Sequence, residues 1–547
     1  MKEPRDLKTR RKQGEFFTPT IWVDKAHEYI ASVFGDDWKE KYVVWDPAWG
    51  TGNLTRDYKF KELYVSTLNY SDIQTAEQMG YNPEAVKFQF DFLNDDYDFL
   101  PQGLRDAIEG GREIIVLMNP PYGRSASDGK RNKIESGTGE TKMSIDMKTE
   151  GWGASSSNLY SQFFYRITKL QEINGKIKIG VFSPPLYITG ESYREFRFRF
   201  FKSFGFVKGF LFQASNFSDV SSDWGITFSM YDEVNELKNN FNYDVLIFNN
   251  NELGIEKNNS KMLYNVDGLN TLSNWIKNDK GVEDYPKMSS ALNVKETKFG
   301  SGKPKNSFAT LANNGNNTMA NNESVYFLTG GLTRNIGKVF VTEENFTKCC
   351  NLFTSRKLII GQYSNWINQK DEYLTPNEQH PDYEQFTYDS VIISLFHIHS
   401  FQSSLRQVTY KDKLWDIKNE FFWMSKEEMM ELANDTNYTE LYNDARTDTD
   451  RYVYKLLFGE QNIYDQLSPD AKLVLDKATE LTRMSMTMRQ HFADDHNHLN
   501  SWDAGYAQLK LVWKEYFPNE FKEFRQLYKN LEDRMRPLVY ELGFLLK

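Results

Sequence analysis

The sequence predicts an α/β fold: an open, mostly parallel sheet in the first part of the chain, then a mixed α+β region and a C-terminal helical segment. Three observations predict it. Short runs rich in branched and aromatic residues are each ended by a breaker, the mark of buried strands. Two of these runs close on loops that suit the ligand-binding edge of such a sheet, one a Gly-x-Gly turn and one Asn-Pro-Pro-Tyr. Composition shifts towards Asn and Lys after about residue 235, and apolar residues return at helical spacing from Ser468 through Phe544.

A chain of 547 residues is expected to hold two or three domains. Its formal net charge of −10 excludes a uniformly basic nucleic-acid binder, so any phosphate contact must be a local basic face on an acidic body. The 2 cysteines, Cys349 and Cys350, are neighbours, which is neither a disulfide framework nor a zinc site and points to a reducing compartment. The charged start from Met1 to Gln13 lacks a signal peptide's apolar stretch, and no apolar run reaches membrane-spanning length.

In chain order, the basic residues Lys2, Arg5, Lys8, Arg10, Arg11 and Lys12 read as a solvated tail. Phe16, Phe17, Thr18 and Pro19 follow. Ile21, Trp22, Ala26, Tyr29 and Ile30 then mark an amphipathic helix with Thr18 as its N-cap, and free amides at a helix start suit a carboxylate. Residues 43–54 read as a strand, the acid Asp46, the turn Gly50-Thr51-Gly52 and a helix. Glycines there let the backbone approach a ligand. A third glycine and a P-loop lysine are both missing, so the acid beside the turn fits a ligand with a positive amine, such as S-adenosyl-L-methionine, better than a pyrophosphate. After a second strand at 63–68 the first acid is Asp72, which reads equally as a ribose ligand or a helix cap. A third strand at 86–93 carries Asp91, able to accept from a purine amino group, with Phe92 and Leu93 beside the ring.

The fourth strand, 114–118, stops at Asn119-Pro120-Pro121-Tyr122. Prolines cannot continue a ladder, so these residues form a stiff loop. Such a loop suits methylation of an exocyclic amino group, whose nitrogen is a poor nucleophile because its lone pair is delocalised into the ring. The Asn119 side-chain oxygen and the Pro120 carbonyl can each accept one amino hydrogen and free that lone pair, while Tyr122 stacks on the base. The plain alternative is a proline turn after a core strand.

Residues 124–157 read as a long polar loop, 158–167 as a helix and 176–182 as a fifth strand. That strand ends in Ser183-Pro184-Pro185-Leu186-Tyr187, where Leu186 occupies the stacking position, so this copy reads as sheet-edge architecture. Arg194, Arg197, Arg199 and Lys202 alternate with Phe196, Phe198, Phe200 and Phe201, as in a nucleic-acid contact or an element with one buried face. Strands at 206–212 and 225–230 flank a loop holding Phe217. Residues 296–324 read as a linker, and Ser403, Ser404, Arg406, Lys411 and Lys413 as a candidate phosphate patch. His491, His496 and His498 match no standard metal spacing and read as an interhelical turn.

Together the Phe-Thr-Pro segment, the acid with Gly-x-Gly, Asp-Phe-Leu, Asn-Pro-Pro-Tyr and a late aromatic resemble, in that order, the amino-methylating DNA methyltransferases of the adenine-N6 type with the catalytic domain first. The resemblance covers about the first 235 residues. It implies a Rossmann-like, S-adenosyl-L-methionine-dependent methyltransferase domain at 1–235, a target-recognition region at 236–465 and a helical region at 466–547. By resemblance, Phe17 and Thr18 would lie at the cofactor, Thr18 meeting its carboxylate. Asp46, Ala48, Gly50 and Gly52 would surround the methionine part, Asp72 would meet the ribose, and Asp91 and Phe92 the adenine. Asn119, Pro120, Pro121 and Tyr122 would hold a flipped adenine of double-stranded DNA between cofactor and duplex. Phe217 would pack on the base's other side. Apart from the resemblance, the basic and aromatic alternation makes Arg194 and Arg197 candidates for contact with the nucleic acid. A cytoplasmic, DNA-associated location in a bacterial or phage-infected cell follows, with no metal and no obligatory protein partner. Two departures stand out: Trp49 replaces a frequent Cys, and the acid after the second strand is displaced to Asp72. The loop alone also admits an RNA adenine, a protein glutamine, or a non-catalytic DNA-binding relative. The nuclease of a fused restriction–modification enzyme would need a sizeable domain before Phe16, so cleavage activity is not expected unless it lies in the C-terminal half.

Overall fold

All seven runs expected as strands form strands, and two more extend the same sheet. The structure, a computed structural model, describes residues 18–547 apart from 126–138, 218–223, 235, 250–253, 277–303, 305, 313–324, 330–337, 360–364, 369–370, 411–412, 434–449 and 488–501. The sheet comprises β1 (Val43–Asp46), β2 (Leu63–Thr67), β3 (Val86–Gln89), β4 (Ile114–Met118), β5 (Ile177–Ser183), β6 (Gly205–Gln213), β7 (Gly225–Asp232), β8 (Asn240–Asn249) and β9 (Gly254–Tyr264). Their spatial order is β3-β2-β1-β4-β5-β7-β6-β8-β9. The first five run parallel, β7 lies antiparallel to both β5 and β6, and β8 and β9 close the far edge as an antiparallel pair.

Strands β1, β2, β4 and β5 are buried throughout, which is why they read as continuous apolar runs rather than alternations. Alternate residues feed two cores, one on each face. Val44, Val65, Ile115 and Leu117 pack under the helix Thr20–Phe34 with Trp22 and Ile30. Val43, Trp45, Ile114, Val116 and Met118 pack with Leu104, Phe163 and Phe196 from helices on the opposite face. The strand order changes direction between β1 and β4, and ligands bind at such a switch point, beyond the strands' carboxyl ends.

Several expectations are corrected. The helix after Pro19 starts at Thr20 with Pro19 as its N-cap, so Thr18 precedes the helix and does not cap it. No helix follows Gly52. Residues 53–57 form turns, and the carbonyls of Thr55 and Tyr58, which a helix would use, accept instead from the Asn82 amide at 3.0 Å each. The stretch 124–157 is not all loop. Thr141 caps a helix, Lys142–Thr149, and a 3-10 turn follows at Gly153–Ser157, which together bury Met143, Met147 and Trp152.

The chain divides into two compact units, Met1–Gly268 with Tyr363–Glu372, and Leu269–Gln362 with Tyr373–Lys547. The boundary expected at 235 falls inside the sheet, because Phe241, Tyr243 and Val245 of β8 bury into the same core as Leu211 of β6. In the second unit one core runs from Leu272 to Leu545, so position 465 separates no two cores. There β10 (Ala309–Ala312), β11 (Tyr326–Leu328), β12 (Lys338–Val341) and β13 (Ser400–Phe401) form a sheet in the order β12-β10-β11-β13. The helices Pro469–Thr487, Tyr506–Tyr516 and Pro518–Met535 supply the expected C-terminal helical segment. Among the described residues no helix is long and apolar enough to cross a membrane.

Candidate active site

A cavity of about 250 Å³ opens where the carboxyl ends of β1, β2, β3 and β4 meet. Thr18, Ala48, Gly50, Asp72, Asp91, Phe92 and Asn119 all line it, and so does Pro121. Seven of the residues expected at a cofactor therefore share one wall, although they are spread over a hundred positions of sequence. Asp46 and Gly52 stand behind the wall, and Phe17 lies outside the described residues.

Hydrogen bonds tie the wall together. The Asn53 amide donates to the Thr18 carbonyl at 3.0 Å, and the Asn119 amide donates to the Thr18 hydroxyl at 2.9 Å. The Tyr122 hydroxyl donates to Asn119 Oδ1 at 2.7 Å. Thr18 thus joins the Gly-x-Gly turn to the Asn-Pro-Pro-Tyr loop.

Asp46 shapes the turn by accepting from the Ala48 amide at 3.0 Å. Its second oxygen is buried and has no partner among the described residues. Burial without a counter-charge pushes its pKa up to about 8. Gly50 has a φ of +52°, and a Cβ there would meet nothing within 4 Å, so this stretch of wall is open to a ligand. Gly52, with a φ of +79°, serves packing: a Cβ would sit 2.9 Å from the Trp49 indole. Trp49 is itself pinned by its indole N–H on Thr55 Oγ1 at 2.9 Å. His27 does not line the cavity. Its Nε2 lies 2.9 Å from the Leu54 carbonyl, its ring stacks on Tyr58 at 3.7 Å, and burial lowers its pKa to about 3, so it is a neutral brace for the turn.

At the acidic end, Asp72 Oδ2 accepts from the Thr67 hydroxyl at 2.8 Å. Asp91 lies just past β3, not within a strand reaching 93, and accepts from the Leu93 amide at 3.0 Å and the Asn94 side chain at 2.7 Å. Phe92 stacks on Phe163 at 4.6 Å. What holds this segment leaves no local signal in the sequence. Arg166, buried on the helix Leu159–Asn174, donates to the Phe92 carbonyl at 2.7 Å and lies over the Phe90 and Phe92 rings at 4.7 and 5.1 Å. Its burial lowers its pKa to about 10. Lys142 pairs with Asp96, and Met143 N donates to the Leu93 carbonyl at 3.1 Å, so the helix after Thr141 folds back over the same turn.

On the substrate side Tyr122 is half-buried, and burial holds its phenol well above the usual range. Trp224 meets it edge-on at 5.9 Å and Tyr160 at 6.5 Å. Two expectations fail here. Phe217 is 2% exposed and packs among Phe182 and Phe212, so it belongs to the core and presents no face to a base. Arg197 is 1% exposed, forms a two-bond pair with Asp267 at 2.6 and 3.0 Å, and caps the Tyr187 and Gly190 carbonyls. It is a structural cation and contacts no solvent-borne phosphate. Arg194 is exposed at the start of the helix Arg194–Ser203. The Ser183 carbonyl of the second Pro-Pro loop is engaged by Thr227 at 2.9 Å, and Tyr187 is buried among Ser229 and Tyr231. Trp224 carries a sequence signal of its own, an aromatic just before a strand, at the far end of the loop that begins beside Phe217. His491, His496 and His498 lie outside the described residues.

No protein-family model matches the chain, and no curated protein matches it in sequence. Solved structures with a similar fold include the methyltransferase subunit of a type I restriction-modification system from Streptococcus thermophilus, with 16% identity over 42% of this chain and 47% of that one, TM-score 0.30. DrdV in complex with DNA is similar at 16% identity over 44% of this chain and 28% of that one, TM-score 0.32. The ATP-dependent Type ISP restriction-modification enzyme LlaBIII bound to DNA is similar at 13% identity over 68% of this chain and 38% of that one, TM-score 0.35. The chain spans less than half the length of each.

Proposed function

We propose that the first unit is a methyltransferase that uses S-adenosyl-L-methionine to methylate the N6 amino group of an adenine rotated out of duplex DNA. One observation carries the reading: a single cavity is lined by the Gly50 turn, the two acids Asp72 and Asp91, and Asn119, whose Oδ1 accepts from the Tyr122 hydroxyl.

The cavity fits the cofactor. Gly50 leaves wall space that any side chain would fill, Phe92 and Leu93 give an apolar flank, and Asp72 and Asp91 offer acceptors to hydroxyl and amino groups. An ammonium at the Pro47–Ala48 wall would supply the counter-charge that Asp46 lacks. When bound, the cofactor supplies an electrophilic methyl group.

The rest falls to this chain's own residues. Thr18 fixes the Asn119 amide so that Oδ1 turns towards Tyr122. A carbonyl oxygen can accept from two donors, so Oδ1 can take one hydrogen of the target amine, with the Pro120 carbonyl taking the other. Both acceptors localise the nitrogen lone pair. Tyr122, tethered at its hydroxyl, stacks on the base, and Trp224 replaces Phe217 as the aromatic beside it. Rotating the base out costs a few kcal/mol, and stacking offsets about 1–3 kcal/mol of that. Acceleration then comes from positioning.

The test is transfer of labelled methyl from the cofactor to duplex DNA, RNA and protein offered in parallel. Label in DNA alone is expected. Label only in RNA, or only in glutamine of protein, would replace the substrate while keeping the loop's chemistry.

A further inference from the structure

The second unit carries a cluster of hydrogen-bond donors beside exposed apolar side chains at the edge strand β13. Lys357 Nζ lies 2.9 Å from His399 Nδ1. An ammonium can only donate, so His399 Nδ1 is an acceptor and the neutral ring carries its proton on Nε2. The backbone N–H of His399 donates to His397 Nδ1 at 3.0 Å, which fixes the same tautomer on the second ring. The two rings are 5.2 Å apart. Both rings therefore carry their proton on Nε2, and they lie near Lys357, whose side chain is buried at 4% exposure and already engaged with His399, and near the partly exposed Lys510.

The charges that bear on either imidazole among the described residues are Lys357, Lys510 and, for His397, the other ring, and all disfavour a further positive charge. A metal cation would be repelled by the same lysines, so the chemistry selects an anion. Around the donors stand Ile398, 60% exposed, and Phe401, 43% exposed, with Tyr326 at 6.0 Å from Phe401 and His399 at 6.4 Å. Ser404 N donates to Gln508 Oε1 at 3.3 Å, which ties the end of β13 to the helix bearing Lys510.

We propose that this patch contacts a backbone phosphate of duplex DNA, with Phe401 and Ile398 against the adjoining sugar. The choice of DNA as partner rests on the function proposed above. Lys510 supplies the local positive charge on a chain whose net charge is −10, and the two neutral imidazole N–H groups add donors beside it.

The test uses the full chain and a fluorescent duplex oligonucleotide of arbitrary sequence, with affinity measured across a salt series. Lys510→Gln is expected to weaken binding several-fold and to reduce the slope of log affinity against log salt by about 0.9, one phosphate's worth. Phe401→Ser is expected to weaken binding with the slope unchanged. Thermal unfolding of both variants, followed by tryptophan fluorescence, should match the parent, which shows that the second unit stays folded. Normal parent binding with an unchanged slope in Lys510→Gln overturns the patch alone. Failure of the parent to bind DNA at low salt overturns the proposed function and this surface with it.

Discussion

Replacing Asp46 by Asn isolates the most unusual group in the site. The substitution keeps an oxygen for the Ala48 amide but removes the charge. Asp46 has its pKa raised from 3.8 to about 8 by burial. Between those values the folded chain keeps a proton that the unfolded chain has lost, so folding stability falls as pH rises through this window. Each unit is worth about 1.4 kcal/mol, so ionisation at this site costs the parent about 4 kcal/mol at pH 7. The Asn variant has no such term. Its stability advantage should be small near pH 4, grow to several kcal/mol by pH 7 and level off above pH 8. Thermal unfolding of both chains across that range measures it. The cofactor adds a second readout. At pH 7 a group with a pKa near 8 is about 0.9 protonated. An ammonium bound nearby should expel most of that proton, seen as buffer-dependent heat in calorimetry. The variant should bind more weakly and release none. Parallel stability curves, or cofactor binding with no proton release in the parent, would refute the reasoning.

Asn119→Ala should reduce methyl transfer at least a hundredfold, while cofactor affinity falls only a few-fold through loss of the bond to Thr18; equal loss of both in kinetics and calorimetry would contradict its role as amine acceptor. Phe217→Ala should cost about 3–5 kcal/mol of stability as a core truncation, whereas Trp224→Ala, at a ring only partly buried against that core, should cost less and weaken capture of the extruded base, read by 2-aminopurine fluorescence. Arg197→Met should destabilise the first unit by about 3–5 kcal/mol, because Asp267 loses its partner, and should leave the salt dependence of DNA binding untouched. Arg166→Met should cost about 1.5–3 kcal/mol for the charged hydrogen bond to the Phe92 carbonyl and raise the cofactor KM.

The parallel half of the sheet was legible because strands buried on both faces are short apolar runs, and the loops ending β1 and β4 carry glycine and proline, whose backbone preferences are local. What failed was non-local. Phe217 and Arg197 have the residue types of a binding site, yet one faces a packed core and the other meets Asp267 seventy positions away. No window of sequence contains that pairing. The helix expected after Gly52 is pre-empted by Asn82, again a distant partner. Strand β8 was readable in principle, since Phe241, Tyr243 and Val245 alternate with polar residues, but the rise in Asn and Lys around it suggested a boundary at 235. Arg166 gave no signal, because an arginine within a helix ordinarily faces water.

The identity of the methylated nucleoside is the most direct test of the electronic argument. Duplex DNA treated with the chain and the cofactor, then digested and analysed by mass spectrometry, is predicted to yield N6-methyladenine with the parent and none with Asn119→Ala. N4-methylcytosine, or N6-methyladenine undiminished in the variant, would contradict the account.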